Sequence, residues 1–553
     1  MFHRQRATFW CVLILLTAMS SPALAWLDVV TGEVVSVSRS TGQVVVQLRG
    51  KTEKRSFRVS SSTRMTLDGE AVEIADIAKG QLISAFVDGT SASRVLLRTN
   101  PDKPASESKP KSATGRKPAE TPSSEPGSAG DSPTRTSSRR RTVGRTGRPG
   151  TSPPAETTSA TSASSEWNQF RGPNRDNISA ETGLMKQWPD AGPELVWSAS
   201  GIGEGYSSVA ISGGRLFTMG NRDGAEKVTA LDLATGREIW SVATGREYHE
   251  GQGNGPRGTP TIVDGRAYAL GGNGDLACLE VDDGKIVWKK NVLQEFGGRN
   301  ITWGISESVL IDGDHLICTP GGSNGTMVAL DRDSGSTVWV SQVPGNPQAA
   351  YSSAIAVDVG GVRQYVNFTS AGVVGVRASD GRPMWGQQES ANGTANCSTP
   401  VFFNNHVFSA SGYGTGGALF QLQSRNGVTS SNVVFKTGEM KNHHGGMVVL
   451  DGFLYGCDEQ ILTCINLRNG QIAWKSRSVG KGSVTYADGN LYVRSEGGPV
   501  ALVEANPREY VEKSRFDQPR RSGRPAWSHP VVADGKLFLR DMDTLLAFDV
   551  KAP

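Results

Sequence analysis

Short apolar hairpins recur along the chain from Trp167 to its C-terminal end. In each, two runs of mainly apolar residues flank a turn that contains Gly or Asn, as expected for antiparallel strands. Eight hairpins align on these turns: SSVAISGGRLFTM (207–219), TPTIVDGRAYAL (259–270), SVLIDGDHLICT (308–319), SSAIAVDVGGVRQYVNF (352–368), STPVFFNNHVFSA (398–410), GMVVLDGFLYGC (446–457), GSVTYADGNLYVR (482–494) and HPVVADGKLFLR (529–540). They follow one another at roughly 40–50 residues, the spacing typical of four-stranded propeller blades.

A second pattern follows most of the hairpins and ends in a Trp. Its five copies are ALDLATGREIW (230–240), ACLEVDDGKIVW (277–288), VALDRDSGSTVW (328–339), VGVRASDGRPMW (374–385) and TCINLRNGQIAW (463–474). LFQLQSRNG (419–427) and PVALVEANP (499–507) occupy the same place without the Trp. We interpret the Asp and Gly as turn residues between the third and outer strands, and the Trp as apolar surface against the neighbouring blade. Because one cofactor could not contact every copy, the pattern predicts architecture rather than chemistry.

The last repeat predicts how the ring closes. It ends at LLAFDV (545–550) and lacks a fourth strand, whereas PELVW (193–197) lies upstream with Trp197 in the tryptophan position. Pairing the two ends removes an open sheet edge. The sequence therefore predicts an all-β chain with an eight-bladed β-propeller in residues 166–553.

Three shorter segments precede the propeller. Residues 1–25, with Arg4 and Arg6 before an apolar run and SSPALA, are typical of a cleavable secretory signal. Residues 26–99 predict a small β domain, a five-stranded meander or small barrel with a short helical turn. Residues 100–165 contain no aromatic residue and predict a disordered linker rich in Ser, Pro and Arg.

Charge and cysteine content narrow the function classes. Residues 101–165 carry eleven Lys and Arg against six Asp and Glu, which exceeds the net charge of +4 for the whole chain. The folded parts are therefore mildly acidic, and we expect no nucleic-acid partner. Five cysteines follow the signal, and an odd number predicts structural thiols rather than a disulfide framework. No later apolar run is long enough for a transmembrane span, and the oligomeric state stays open.

The Ala-x-Asp-x-x-x-Gly-x-x-x-Trp repeats and the blade count resemble the pyrroloquinoline-quinone (PQQ) repeat family. WNQFRGPNRDNIS (167–179) looks like the first segment of its exported members. The resemblance implies one of two activities, a PQQ-dependent alcohol dehydrogenase with calcium or a non-catalytic propeller such as the lipoprotein of outer-membrane β-barrel assembly. This chain has no Cys-Cys pair, no Cys-x-x-Cys-His and no lipidated cysteine.

The candidate site follows from the positions at which the inner strands begin. These positions should cluster at one mouth of the central channel, and polar residues occupy them. The candidate ligand-binding residues are Tyr206, Arg257, Glu307, Tyr351, His444, Lys481, Trp527 and His529. No Asp lies among the mouth positions. The cations suit a carboxylate- or phosphate-bearing ligand, with Trp527 available for stacking. The alternative is that they pair with Glu307 and backbone carbonyls and plug the channel.

Two other groups of residues could form chemical sites. His443 and His444 resemble a metal site, but adjacent strand residues point to opposite faces, so we expect no metal. His249 and Glu250 lie on a glycine-rich loop and could form an acid–base pair, although a solvated loop is the commoner outcome.

The sequence favours an exported cell-envelope propeller that acts as a binding or scaffolding module, periplasmic or extracellular. We expect an envelope protein or polymer partner, with an anionic small ligand as a further option. The alternative is a PQQ-dependent alcohol dehydrogenase using PQQ and calcium, so no catalytic residue is assigned and enzymatic activity is left open. A Ser/His hydrolase ranks third, because no serine lies in a nucleophile elbow.

Overall fold

The computed structural model describes residues 27–48, 52–60, 63–67, 70–88, 91–98 and 166–553. The predicted signal, residues 1–25, and the predicted linker, residues 100–165, lie outside these residues. The chain divides into two compact units, residues 1–161 and 162–553. Among the described residues, no helix has the length and apolar character to cross a bilayer.

The first unit contains one sheet of seven strands. They are β1 (Leu27–Ser38), β2 (Gln43–Leu48), β3 (Lys54–Arg58), β4 (Arg64–Leu67), β5 (Glu70–Ala71), β6 (Leu82–Asp88) and β7 (Ser91–Arg98). A 3-10 turn, Ile74–Asp76, precedes β6. Of the two predicted arrangements, a meander or a small barrel, the meander is wrong, because β1 pairs with β6 as well as β2. A parallel contact between β3 and β7 completes a circuit of five strands, β1–β2–β3–β7–β6. Val34, Phe57 and Val95 belong to its buried core.

The second unit begins with two strands that join later sheets, β8 (Ile178–Ser179) and β9 (Leu195–Ser200). Four sheets of four strands follow. The first two contain β10 (Ala210–Ser212), β11 (Arg215–Arg222), β12 (Ala225–Asp232), β13 (Glu238–Arg246), and β14 (Thr261–Val263), β15 (Arg266–Leu270), β16 (Asp275–Glu280), β17 (Ile286–Asn291). A short helix, α1 (Val292–Phe296), follows β17. The next two contain β18 (Leu310–Asp312), β19 (His315–Cys318), β20 (Met327–Asp331), β21 (Thr337–Ser341), and β22 (Ile355–Val359), β23 (Val362–Thr369), β24 (Gly372–Arg377), β25 (Pro383–Gln387).

Four further sheets complete the unit. The fifth and sixth contain β26 (Val401–Phe403), β27 (His406–Ser411), β28 (Gly416–Arg425), β29 (Val428–Thr437), and β30 (Val448–Leu450), β31 (Phe453–Asp458), β32 (Ile461–Asn466), β33 (Gln471–Ser476). The last two contain β34 (Gly482–Ala487), β35 (Asn490–Ser495), β36 (Pro499–Glu504), β37 (Glu512–Asp517), and β38 (Val531–Ala533), β39 (Lys536–Asp541), β40 (Thr544–Asp549). β8 extends the seventh sheet beside β34. This succession of small antiparallel sheets is consistent with a β-propeller.

The last sheet is completed by the chain's own upstream strand. β9 pairs antiparallel with β40, and Trp197 lies opposite Ala547. The predicted closing strand PELVW is therefore confirmed. The sheet that ends the chain is built from both ends of this unit, which leaves β40 without a free edge.

The repeated Asp, Gly and Trp form contacts between successive sheets. Asp232 accepts hydrogen bonds from the amide and hydroxyl of Thr235, which fixes the turn. The indole N–H of Trp240 donates to the carbonyl oxygen of Val281 in the next sheet at 3.0 Å. Gly284 adopts φ 74° directly under the Trp240 ring, where a Cβ would collide with it. The structural interpretation of the motif is confirmed.

The segment 167–179 lies at the centre of the eight sheets. It forms hydrogen bonds to the innermost strand of every sheet, or to a residue just before it: Ile211, Ile262, Val309, Ala354, Thr399, Met447, Val484 and Val532. Arg171 and Arg175 supply the bonds to the third through sixth sheets and are 1% and 3% exposed. The two guanidinium groups thus donate hydrogen bonds to inner-strand carbonyl oxygens that would otherwise face the channel unpaired.

All five described cysteines are free. Their expected role as structural thiols agrees with the burial of Cys278, Cys318, Cys457 and Cys464, whereas Cys397 is partly exposed. Burial raises the pKa of the Cys457 thiol to about 12, so this group stays protonated at neutral pH.

Candidate functional site

A cavity of about 300 Å³ lies at the mouth where the inner strands begin. Seven of the eight predicted ligand-binding residues line it: Tyr206, Arg257, Tyr351, His444, Lys481, Trp527 and His529. The residues that the alignment of the hairpins picks out therefore come from separate sheets and lie together at one mouth. Glu307 is the exception.

Glu307 lies inside the ring rather than at the mouth. Its carboxylate accepts hydrogen bonds from the amide and hydroxyl of Thr319 and from the side-chain amide of Asn367. Burial raises the pKa of Glu307 to about 7, although Arg175 opposes the shift. The prediction that Glu307 neutralises the mouth cations is wrong, because its partners lie on the strands behind it.

Arg257 is neutralised by a different carboxylate. Its Nη2 atom lies 2.9 Å from Oε1 of Glu250 and also donates to the carbonyl oxygen of Gly253, and Nη1 donates to Gly255. The guanidinium lies over the rings of Tyr248 and Tyr206, 4.9 and 5.3 Å from their centroids. Its side chain is 8% exposed. Arg257 is therefore held by the protein and presents little free charge to a ligand.

The same contact overturns the acid–base hypothesis for this loop. Glu250 pairs with Arg257, while Nε2 of His249 lies 2.9 Å from Oε2 of Glu247. The side chains of His249 and Glu250 have separate partners, so the structure does not support the acid–base option, which the sequence already ranked below a solvated loop. The loop serves to position Arg257.

Glu496 neutralises the other side of the mouth. Its Oε2 atom lies 3.1 Å from Nε2 of His444, 3.5 Å from Nζ of Lys481 and 3.3 Å from the indole Nε1 of Trp527. Burial alone would raise the pKa of Glu496, but these three neighbours together lower it to about 2. The hairpin alignment missed Glu496, because it follows the second strand of its sheet rather than the first.

The histidines at the mouth are neutral groups at physiological pH. Burial lowers the pKa of His529 to about 3 and that of His443 to about 4. The Nε2–H of His529 donates to the carbonyl oxygen of His444 at 2.6 Å. His443 and His444 both line the cavity, because they lie in a loop before β30 and not in a strand. The expectation that they point apart is therefore wrong.

Six aromatic side chains surround these polar groups: Phe170, Tyr206, Trp303, Tyr351, Tyr413 and Trp527. Tyr206 and Trp527 pack with centroids 4.5 Å apart, and Trp303 and Tyr351 pack at 5.5 Å. Phe170 comes from the central segment and packs against His529. Phe170, Trp303 and Tyr413 were not predicted, because none lies at the start of an aligned hairpin. Trp303 and Tyr413 follow glycine-containing loops, which is the one signal that the sequence offers for them.

The donor set does not fit PQQ with calcium. Calcium needs six to eight oxygen ligands, mostly carboxylates and carbonyls. At this mouth the accessible carboxylate of Glu496 is surrounded by an ammonium, an imidazole and an indole N–H. Among the described residues no three His, Cys, Asp or Glu side chains are grouped to hold a metal.

These features define a β-sheet protein of the propeller class with an aromatic, internally neutralised pocket. The PQQ-repeat family model described as "Outer membrane protein assembly factor BamB" matches residues 224–476 and 458–552, more than half of the chain. The chain belongs to this family of PQQ-repeat propellers.

Curated relatives carry two different names. The outer membrane protein assembly factor BamB of Shewanella oneidensis is 24% identical over 381 residues, covering 64% of this chain and 88% of that protein. A polyvinylalcohol dehydrogenase of a Pseudomonas species is 28% identical over 191 residues, covering 30% of this chain and 29% of the enzyme. The crystal structure of BamB from Moraxella catarrhalis aligns with a TM-score of 0.47 at 16% identity, covering 65% of this chain and 99% of that one.

Proposed function

We propose that the chain is an exported cell-envelope protein whose eight sheets form one closed, eight-bladed ring. The ring binds a partner at its mouth and carries out no turnover. A signal in residues 1–25 directs export to the periplasm or beyond. A small β domain in residues 26–99 and a flexible linker in residues 100–165 let the two folded parts engage separate partners.

The observation that carries this proposal is the internal neutralisation of the mouth. Arg257 is paired with Glu250, and Lys481 is paired with Glu496. The channel beneath is occupied by Arg171 and Arg175 of the central segment. What remains is a pocket with aromatic walls, and no three His, Cys, Asp or Glu side chains of the described residues are grouped there to hold a metal. Such a pocket is suited to binding. The name of the Shewanella relative, an outer membrane protein assembly factor, supports an envelope scaffold.

Export is tested by expressing the full chain with a C-terminal tag and fractionating the cells. We expect the tagged protein outside the cytoplasm, with Trp26 as its first residue by N-terminal sequencing. Full-length protein retained in the cytoplasm would contradict the proposal.

Absence of turnover is tested against the dehydrogenase alternative. The purified chain is titrated with PQQ and calcium by calorimetry and then assayed for dye reduction with a panel of alcohols that includes polyvinyl alcohol. We expect neither binding heat nor dye reduction. One-to-one binding with dye reduction, lost in Arg257→Ala and kept in the exposed control Arg237→Ala, would make the mouth an active site.

A further inference from the structure

The charge of the mouth decides what kind of ligand it can accept. An anion would have to compete with the carboxylates of Glu250 and Glu496 for cations that these already hold. A cation would approach Arg257 and Lys481. Either ion would break an existing pair inside a confined pocket, where an unpaired charge is costly. The pocket therefore favours an uncharged ligand over the anionic one that the sequence offers as a further option.

The ring geometry narrows the shape of that ligand. Ring contacts along the cavity are tilted rather than parallel, at 33° for Tyr206 with Trp527, 45° for Trp303 with Tyr351 and 56° for Tyr413 with His443. A flat aromatic ligand is best held between parallel rings. Tilted rings form a curved wall that suits a ligand with several short apolar faces.

Polar groups in the same wall exclude a purely apolar ligand. Gln252 and Ser306 line the cavity beside the aromatic side chains, and the side chain of Gln252 is exposed. A side-chain amide and a hydroxyl can each donate and accept hydrogen bonds. An apolar molecule would cover these groups without offering a hydrogen-bond partner, which costs about 1–3 kcal/mol for each buried group left unpaired. A ligand with hydroxyl groups satisfies them.

We propose that the mouth cavity, walled by Tyr413, Trp303, Tyr351 and Trp527 and closed below by Phe170, binds an uncharged saccharide. The C–H faces of the sugar rings lie on the aromatic side chains. Sugar hydroxyls form hydrogen bonds with the side-chain amide of Gln252 and the hydroxyl of Ser306, which line the cavity. The cavity volume of about 300 Å³ accommodates one or two sugar rings. The inference rests on the proposed function, because it takes the mouth as a binding site without turnover.

Tyr413 offers the sharpest test. Its side chain is 50% exposed at the rim of the cavity and packs against His443 at 4.7 Å. Truncation of an exposed ring should leave the fold intact. Tyr413→Ala removes the stacking surface, whereas the matched variant Tyr413→Phe keeps the ring and loses only the hydroxyl.

The full chain is titrated with cellobiose, maltose, lactose, mannobiose and diacetylchitobiose, with binding followed by tryptophan fluorescence and calorimetry. We expect at least one of these to bind with a Kd of about 1 mM or below. Digalacturonate and the dimer of glucosamine, the charged counterparts, should bind at least about tenfold more weakly. Tyr413→Ala should weaken binding about tenfold, and Tyr413→Phe should stay within about threefold.

Failure of every uncharged disaccharide to bind below about 10 mM would overturn the inference. Tighter binding of a charged sugar, or unchanged affinity in Tyr413→Ala, would overturn it as well. These outcomes are separable from failure of the proposed function. Dye reduction with PQQ would end both, whereas absence of saccharide binding together with absence of dye reduction would end only the saccharide inference.

Discussion

The outer wall of the ring and its centre are built on opposite principles. At the wall, one contact recurs from sheet to sheet, in which a Trp of one sheet packs on the Gly and carbonyl of the next. At the centre, the positions where the inner strands begin carry different residues in different sheets, and a single segment bonds to all eight. The difference teaches that repetition marks architecture in this chain, whereas recognition depends on residues that occur once.

The two regions also distribute stability differently. Each wall contact joins two neighbouring sheets, as Trp240 joins the first to the second. Arg175 alone donates to carbonyl oxygens before β18 and before β22 and to the side chain of Gln169. A central residue should therefore matter more for the whole ring than any one wall residue.

The largest effect is expected from Arg175→Ala. The variant leaves inner-strand carbonyls without donors and removes the positive charge that faces Glu307, so the free energy of unfolding should fall by about 3–5 kcal/mol. Urea denaturation followed by tryptophan fluorescence measures the change. Arg175→Lys keeps the charge without the planar donor set and should recover part of the loss. A loss below about 1 kcal/mol would show that the centre is no more important than the wall.

A smaller effect is expected at the wall from Gly236→Ala. Gly236 has φ 70°, and an added Cβ would collide with the ring of Trp197. The free energy of unfolding of the variant should fall by about 2–3 kcal/mol, because the left-handed backbone disfavours Ala and the added Cβ displaces the indole ring. Gly213→Ala is the matched control, because Gly213 has φ 57° and open space around it. The free energy of unfolding of this control should fall by only about 1 kcal/mol. Equal decreases in both variants would show that packing of Gly236 against the indole ring contributes nothing.

A third effect concerns pH at the centre, and it is the smallest of the three for a change of one pH unit. Glu307 has a pKa of about 7 in the folded chain, above its ordinary value of 4.5, so folding takes up a proton between these values. Its stabilising contribution is complete below pH 4.5 and is lost as the pH rises through 7. Relative to Glu307→Gln, the free energy of unfolding of the unmodified chain should fall by about 1 kcal/mol for each pH unit as the pH rises through this window. Urea denaturation at several pH values measures both slopes.

His529 provides the contrast for that experiment. Its pKa of about 3 lies below the ordinary value of 6.5, so its contribution is present above pH 6.5 and is lost as the pH falls toward 3. The two groups therefore act in opposite directions between pH 4.5 and 6.5. Parallel slopes for the chain and for Glu307→Gln would show that Glu307 does not titrate as its burial implies.

The sequence predicted the wall far better than the mouth, for a physical reason. Turn residues and Trp197 act locally or in a fixed sheet register, so spacing alone revealed them. The mouth depends on which loops meet there. Alignment found the positions of Arg257 and Lys481 but not their partners Glu250 and Glu496, so it predicted a cationic pocket where the structure has a neutral one. Phe170 belongs to a segment whose insertion into the centre leaves no periodic signal.

That inserted segment bears on how the ring forms. In stacked repeat proteins each repeat needs only its neighbours, so repeats can be removed from an end one at a time. Here residues 167–179 are synthesised before every sheet they contact, and their arginines find all of their acceptors only after the sheets have assembled around them. Strand β9, near the start of this unit, likewise pairs only with β40, the last strand of the chain. The ring should therefore fold and unfold as one cooperative body, and loss of a single repeat should cost far more than one-eighth of its stability.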